Sequence, residues 1–197
     1  TKIVMSGAGA AGTAIARLLV KNGAKNIIGF DKDGVIYKNT KSDDLMRTWF
    51  IDNCNPNNFS GTLSEAMKGA DIFIGVSAPN VISESDVASM AKESIIFALA
   101  NPDPEIDPVI ARKYAAVVAT GRSDQPNQIN NVLAFPGIFR GLLDANASKI
   151  TDELLLAASN AIADCVSPEQ LNASFIVPSV FDPHVVTAVA AAVKRSV

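Results

Sequence analysis

The sequence predicts an α/β protein, a doubly wound parallel sheet with a C-terminal helical extension. Short apolar runs that read as strands alternate with helical patterns: Ile3-Val-Met5, Ile27-Ile-Gly-Phe30, Ile72-Phe-Ile-Gly-Val76, Ile95-Ile-Phe-Ala-Leu99 and Val117-Val-Ala-Thr120. Within each run the apolar residues are continuous rather than alternating, the signature of a sheet covered on both faces. Beyond Phe135-Pro-Gly137 the strand pattern stops and only helical patterns follow. These observations divide the chain at residue 137: a sheet domain over 1–137 and a helical tail over 138–197.

Each element has its own local reason. Gly7-Ala-Gly-Ala-Ala-Gly12 turns the first strand into a helix with Ala14, Ile15, Leu18 and Leu19 on one face, closed by Asn22-Gly23. Leu45, Met46, Trp49 and Phe50 form the next helical face, and residues 53–58 read as a polar loop. Thr62 with Glu65 three residues later is a capping box, and Gly69 closes that helix. Ser83 and Asp86 mark another helix start, and Pro108 begins a further one, where a first-turn proline loses no hydrogen bond. In the tail, helices are expected over 138–145 and 151–165. Ser167-Pro-Glu-Gln170 offers a cap, a first-turn proline and a capping-box glutamine, and Asp182-Pro183 opens a final helix through Val185, Val186, Val189 and Val193.

Composition narrows the function. The chain has 197 residues, 48% hydrophobic and 19% charged, enough for a sizeable core with apolar surface left for a partner. With 17 basic and 20 acidic residues the net charge is −3, which provides no footprint for nucleic acid or an anionic membrane. Cys54 and Cys165 are too few for a disulfide framework and point to a reducing, cytoplasmic setting. The single histidine, His184, excludes any site needing two imidazoles, and no apolar run has the length of a membrane span. The chain opens on Thr1 with a strand already under way, so it reads as a piece of a longer polypeptide.

The chemistry concentrates at the glycine turn. Gly-x-Gly-x-x-Gly alone is a weak signal, but here it follows a strand, opens a helix, and precedes Asp31 at the end of the next strand by 19 residues (31 − 12). That is the context of a Rossmann-type dinucleotide site. Gly7 permits the tight turn, Gly9 exposes bare backbone to a pyrophosphate, and Gly12 lets helix and strand pack closely, while the helix amides face the anion. Asp31 can accept from both ribose hydroxyls and would repel a 2′-phosphate, so NAD is expected over NADP, with Lys32 keeping NADP open.

Ligands of a parallel sheet bind where the strands end. That edge collects Val76 and Ser77 as further cofactor candidates, then Asn101, Gly121-Arg-Ser123 and the run Asn127-Gln-Ile-Asn-Asn131. Asn101 and Asn131 are candidate substrate contacts, since a carboxamide donates and accepts without charge; capping or turning the backbone is the equal alternative. Arg122 could clamp a carboxylate or serve the surface. Asp103, Glu105 and Asp107 lack metal-loop spacing and read as a solvated loop with helix-start acids. His184, beside Asp182-Pro183, reads as a capping or packing group. No metal site is expected in the chain.

Taken together, Ser6-Gly-Ala-Gly-Ala-Ala-Gly12, Gly69-Ala-Asp-Ile-Phe-Ile-Gly-Val-Ser77, Phe97-Ala-Leu-Ala-Asn-Pro102, Thr120-Gly-Arg-Ser-Asp124, Pro126-Asn-Gln-Ile-Asn-Asn-Val-Leu-Ala-Phe-Pro-Gly-Ile-Phe-Arg-Gly141 and Phe175-Ile-Val-Pro-Ser-Val-Phe-Asp-Pro183 resemble the cofactor domain of compact bacterial and archaeal malic enzymes. The resemblance spans essentially the whole chain. Departures are Gln125, where the family usually has tyrosine, and His184, where arginine is common. The resemblance implies oxidative decarboxylation of malate to pyruvate and carbon dioxide with reduction of NAD or NADP. It also implies Mg²⁺ or Mn²⁺, held by ligands that in the family precede the first strand, as do the lysine base and tyrosine acid. No catalytic residue is therefore expected in this chain, which alone should be inactive. Gly7, Gly9, Ala10, Ala11, Gly12 and Asp31 carry over to the cofactor, Asn101 and Asn131 to the substrate. The implied partner is an N-terminal catalytic domain against which the apolar tail packs; a homo-oligomer is left open. The alternatives are the cofactor domain of an amino-acid or shikimate-type dehydrogenase, or an NAD-binding module without chemistry.

Overall fold

All five strand-like runs pair into one sheet in the computed structural model, which describes residues 1–197. In chain order its first unit holds β1 (Lys2–Ser6), α1 (Ala10–Lys21), β2 (Asn26–Asp31), β3 (Gly34–Val35), α2 (Leu45–Asn53), α3 (Leu63–Met67), β4 (Ile72–Gly75), α4 (Glu84–Ala88), β5 (Ile95–Ala98), α5 (Pro108–Ala111) and β6 (Val117–Thr120). The strand order is β3-β2-β1-β4-β5-β6, and every neighbouring pair is parallel except β2 with β3. The chain thus builds one way from β1 and the other way from β4. In open parallel sheets, ligands bind in the crevice where such an order reverses.

The antiparallel β3 departs from the all-parallel expectation. Residues 32–33 turn the chain back, Gly34 takes φ +114°, and Phe30 and Asp31 pair with Val35 and Gly34. Two residues are too few to show a period, so the only sequence signal was the Asp33-Gly34 dipeptide, a common hairpin turn.

Successive side chains of a strand point to opposite faces, and here both faces are covered. Ile3, Met5, Ile27 and Ile74 pack with Ala16 of α1 and Phe50 of α2. Val4, Ile28, Phe73, Ile96 and Val118 pack with Met67, Val87 and Ala111 from the helices on the other side. Val4 and Met5 are neighbours in sequence and both fully buried, which explains the unbroken apolar runs. Each such side chain contributes about 1.5–3 kcal/mol of burial.

The structure divides into two compact units, Thr1–Gln125 and Pro126–Val197. The boundary expected at residue 137 falls inside a helix of the second unit. That unit holds a 3₁₀ turn (Asn131–Leu133), α6 (Phe135–Asp144), α7 (Asp152–Ala163) and α8 (Pro183–Arg195) around Leu133, Ile138, Leu154, Ala158, Val185, Val189 and Val193. α6 and α8 approach closely at two glycines. A Cβ at Gly137 would lie 2.6 Å from Cβ of Val189, and one at Gly141 2.6 Å from the carbonyl oxygen of Ala190.

Ser167-Pro-Glu-Gln170 does not begin a helix. The Ser167 amide donates to the Gln170 side chain at 3.2 Å and the Gln170 amide donates back to the Ser167 carbonyl at 3.0 Å, closing a single turn. Downstream, the buried Asn127 carboxamide donates to the Ala173 carbonyl (2.8 Å) and accepts from the Ile176 amide (3.0 Å). Those bonds hold the segment as an irregular loop, where a helix would need the same backbone groups. No helix is long and apolar enough to cross a membrane.

Candidate functional site

Among the five helices of the first unit, α1 alone begins without a side-chain cap. Asp44, Thr62, Ser83 and Asp107 accept from the first-turn amides of α2, α3, α4 and α5, with full capping boxes at Thr62 and Ser83. α1 instead starts at Gly9, with Ala10 and Ala11 exposed. Uncapped amides at a helix start favour an anion.

The three motif glycines have different reasons. Gly7 has φ +103°, and a Cβ there would lie 2.6 Å from the Val76 carbonyl oxygen. A Cβ at Gly12 would lie 1.8 Å from the Gly7 carbonyl oxygen, so strand and helix could not pack. At Gly9 a Cβ would meet nothing within 4 Å. Packing in the protein does not require that glycine, and the open space leaves room for an outside group to approach bare backbone. The loop sits at the carboxyl ends of β1 and β4, beside the crevice, with the Val76 amide donating to the Ser6 carbonyl at 2.9 Å.

Beside the loop, a cleft of about 660 Å³ is lined by residues including Ser6, Phe30, Asp31, Gly34, Thr62 and Val81. A larger cleft, about 740 Å³, lies at the amino ends of the strands around Lys2, Asn26 and Ile72. Ligands of parallel sheets bind at the carboxyl edge, so the smaller cleft is the candidate.

Asp31 ends β2 at that cleft, and it is not a bare carboxylate. Its Oδ1 accepts from the Asp33 amide at 2.8 Å, and its Oδ2 from Nε of Arg47 at 2.5 Å, with Nη2 of the same guanidinium also in contact. Arg47 of α2 pairs with Asp33 as well, which holds the Asp33 carboxyl below its usual range and raises the guanidinium. The sequence identified Asp31 but missed Arg47, because a separation of sixteen residues (47 − 31) shows no period that would pair the two.

The acidic run at 103–107 is split by environment. Asp107 caps α5, accepting from the Val109 amide at 2.7 Å, as a helix-start acid does. Glu105 corrects the solvated-loop expectation: it is fully buried. Its Oε1 accepts from the Ser77 amide (2.9 Å) and hydroxyl (3.4 Å), and its Oε2 from the Ala100 amide (3.0 Å). Gly75 makes room, since a Cβ there would lie 2.3 Å from the Glu105 carboxyl carbon. A glycine inside a strand run was the sequence signal for that close approach. No group of three His, Cys, Asp or Glu side chains gathers in a metal-binding arrangement.

Asn101 is exposed just beyond β5, and the Asn101–Pro102 peptide bond is cis. In the second unit, Asn131 is exposed at the start of the 3₁₀ turn, Asn130 caps that turn by accepting from the Val132 amide (3.0 Å), and Asn127 is structural. Arg122 pairs with Asp124, which draws the Asp124 carboxyl down to about 2. His184 is exposed, with its ring Nδ1 3.0 Å from the Asp182 carboxylate that caps α8.

The family model "Malic enzyme, NAD binding domain" matches residues 1–197. The chain is 50% identical over 195 residues to the NAD-dependent malic enzyme of Geobacillus stearothermophilus, covering 99% of this chain and 41% of that protein. It is 40% identical over 215 residues to the NADP-dependent malic enzyme of Salmonella typhimurium, covering 99% of this chain and 28% of that one. Among solved structures, the NAD-dependent malic enzyme of Thermotoga maritima superposes with a TM-score of 0.92 at 42% identity, over 98% of this chain and 51% of that chain. The chain therefore spans about half or less of these relatives, and over that span it belongs to the malic enzyme NAD-binding domain family.

Proposed function

We propose that this chain holds the nicotinamide cofactor of a malic enzyme, binding NAD more tightly than NADP, and that the longer enzyme converts malate to pyruvate and carbon dioxide. The observation that carries this reading is the pairing of an uncapped α1 with a Gly9 whose missing side chain serves no contact in the protein. Amides of Ala10, Ala11 and Gly12 would hold the pyrophosphate, with Gly7 shaping the turn, Val76 and Ser77 bordering it, and Asp31 accepting from the ribose in the adjoining cleft. When bound, the cofactor takes hydride from C2 of malate.

Asn101 and Asn131 are each proposed as substrate contacts, offering donor and acceptor without charge. Acid, base and the Mg²⁺ or Mn²⁺ ligands would come from the remainder of the enzyme. The apolar face proposed to meet that remainder includes Phe135, Phe139 and Leu143, one turn apart on α6 and each at least half exposed, with the two rings stacked at 5.9 Å. Free Cys54 and Cys165 suit a reducing compartment, and the cytoplasm belongs to the same proposal.

A second reading, NADP use, rests on Arg47. A guanidinium at the ribose end of the site offsets the repulsion Asp31 would exert on a 2′-phosphate and could itself receive one. Calorimetric titration of the chain with each cofactor separates the readings. NAD binding tighter than NADP supports the first, the reverse supports the second, and binding of neither overturns both. Malate with NAD and Mn²⁺ should yield no NADH from this chain alone, whereas NADH production would refute the proposed division of labour.

A further inference from the structure

The carboxyl edge of the sheet carries a polar connection that crosses three strands. Ser6, the last residue of β1, stands immediately before Gly7; its hydroxyl lies 2.8 Å from the hydroxyl of Ser77, which follows β4. The Ser77 amide and hydroxyl both donate to Oε1 of Glu105, and Oε2 of the same carboxylate accepts from the amide of Ala100, immediately before Asn101. The backbone around Glu105 reinforces the connection: the Asn80 amide donates to the Pro104 carbonyl (3.2 Å) and the Ile82 amide to the Glu105 carbonyl (3.3 Å).

A buried carboxylate is costly unless hydrogen-bonded, and all three donors to Glu105 are neutral. An apolar residue would fill the same space without that demand. What a carboxylate adds is two acceptors in one plane, each fixing a different loop at a set distance. Gly75 loses its side chain to admit it.

We propose that Glu105 is a positioning residue for the cofactor reaction, holding the Ser77 loop and the Asn101 loop in register with the glycine turn through the chain Ser6, Ser77, Glu105, Ala100. This inference rests on the cofactor reading above. It assigns no contact between Glu105 and any ligand, because the side chain is closed off by the two loops it ties.

Glu105→Gln tests it. Glutamine keeps the shape but has one acceptor oxygen, so its amide group must face one of the two backbone N–H groups and release that loop. NAD affinity of the chain should fall about tenfold, the equivalent of one hydrogen bond network lost. Amide exchange should speed up at Ser77 or Ala100 while the β1–β2 amides stay protected; a merely structural role would loosen the sheet throughout. A Gln variant with unchanged NAD affinity, or with protection lost evenly across the sheet, overturns the proposal. If that variant does not fold, Ser77→Ala decides, since it keeps the backbone bond and removes only the hydroxyl link: weaker NAD binding together with faster exchange at the Ala100 amide, on the far side of Glu105, supports the connection, whereas unchanged binding, or weaker binding with Ala100 still protected as loss of a direct contact would give, sinks it. If the unaltered chain does not bind NAD, the cofactor reading fails first, and the positioning role goes with it.

Discussion

Gly9 of the first unit and the α6 glycines of the second stand in opposite settings. In the second, Gly137 and Gly141 are absorbed by the protein, because the α8 side chains and carbonyls occupy the space that their Cβ atoms would need. In the first, Gly9 leaves space that nothing in the protein occupies. An internal demand shows as a contact; at Gly9 there is none, and the open space beside the uncapped start of α1 is the vacancy that the proposed cofactor would fill. Gly12, with a Cβ position only 1.8 Å from a backbone oxygen, answers to both, since the packing it permits also shapes the loop.

Substitutions can break this comparison. Gly12→Ala should have the largest effect, costing about 3 kcal/mol or more in urea unfolding, because backbone rather than a movable side chain blocks the methyl group, and abolishing NAD binding in the same sample. Gly137→Ala and Gly141→Ala should each cost about 1–3 kcal/mol of stability by overpacking the α6–α8 contact while leaving the NAD dissociation constant of the folded chain unchanged. Altered affinity there would show that the two demands are not separable. Gly9→Ala should do the reverse: stability within about 0.5 kcal/mol of the original, and NAD binding weaker by about tenfold or more, read by calorimetry. A stable Gly9→Ala variant that binds normally would remove the functional reading of the vacancy.

Two smaller effects sharpen it. Arg47→Ala leaves the Asp31 carboxylate without its counter-ion, so the preference for NAD over NADP should widen by several-fold in paired titrations, and Asp31→Ser should narrow it. The two thiols give the least effect. Burial pushes Cys54 up to about 12, while Cys165, less enclosed, is raised to a smaller extent by burial and by Asp182 and Asp164. A thiol reagent at neutral pH should therefore label Cys165 first. Because the folded thiol of Cys54 holds its proton longer than the unfolded one, its contribution is complete below about pH 9 and is lost as pH rises toward about 12. Cys54→Ala should flatten that part of the alkaline stability curve.

Much of this was legible in the chain itself, for reasons that are local. The apolar runs of β1, β2, β4, β5 and β6 show in a few residues each, and the capping boxes at Thr62 and Ser83 need only four. The glycine turn followed by Asp31 is likewise a short-range signal. Arg47, Glu105 and Asn127 were missed as a group because their partners are distant: Glu105 reaches back 28 residues to Ser77, and Asn127 reaches forward 46 and 49 residues to Ala173 and Ile176. No periodicity records such pairings. The acidic spacing of 103–107 suggested one solvated environment, yet the fold gave its members different ones, with Glu105 buried and Asp107 at a helix start.

The two-residue β3 has a consequence at the margin of the sheet. A strand edge left open offers its amides and carbonyls to any other extended chain, which is how sheets of separate molecules fuse. Here the hairpin takes up the edge of β2 at Phe30 and Asp31, and its turn presents charged Lys32 and Asp33. The same short return of the chain that carries Asp31 to the cleft therefore guards this side against edge-to-edge association. Its brevity helps, because a two-residue strand provides too little ladder for a second molecule to extend.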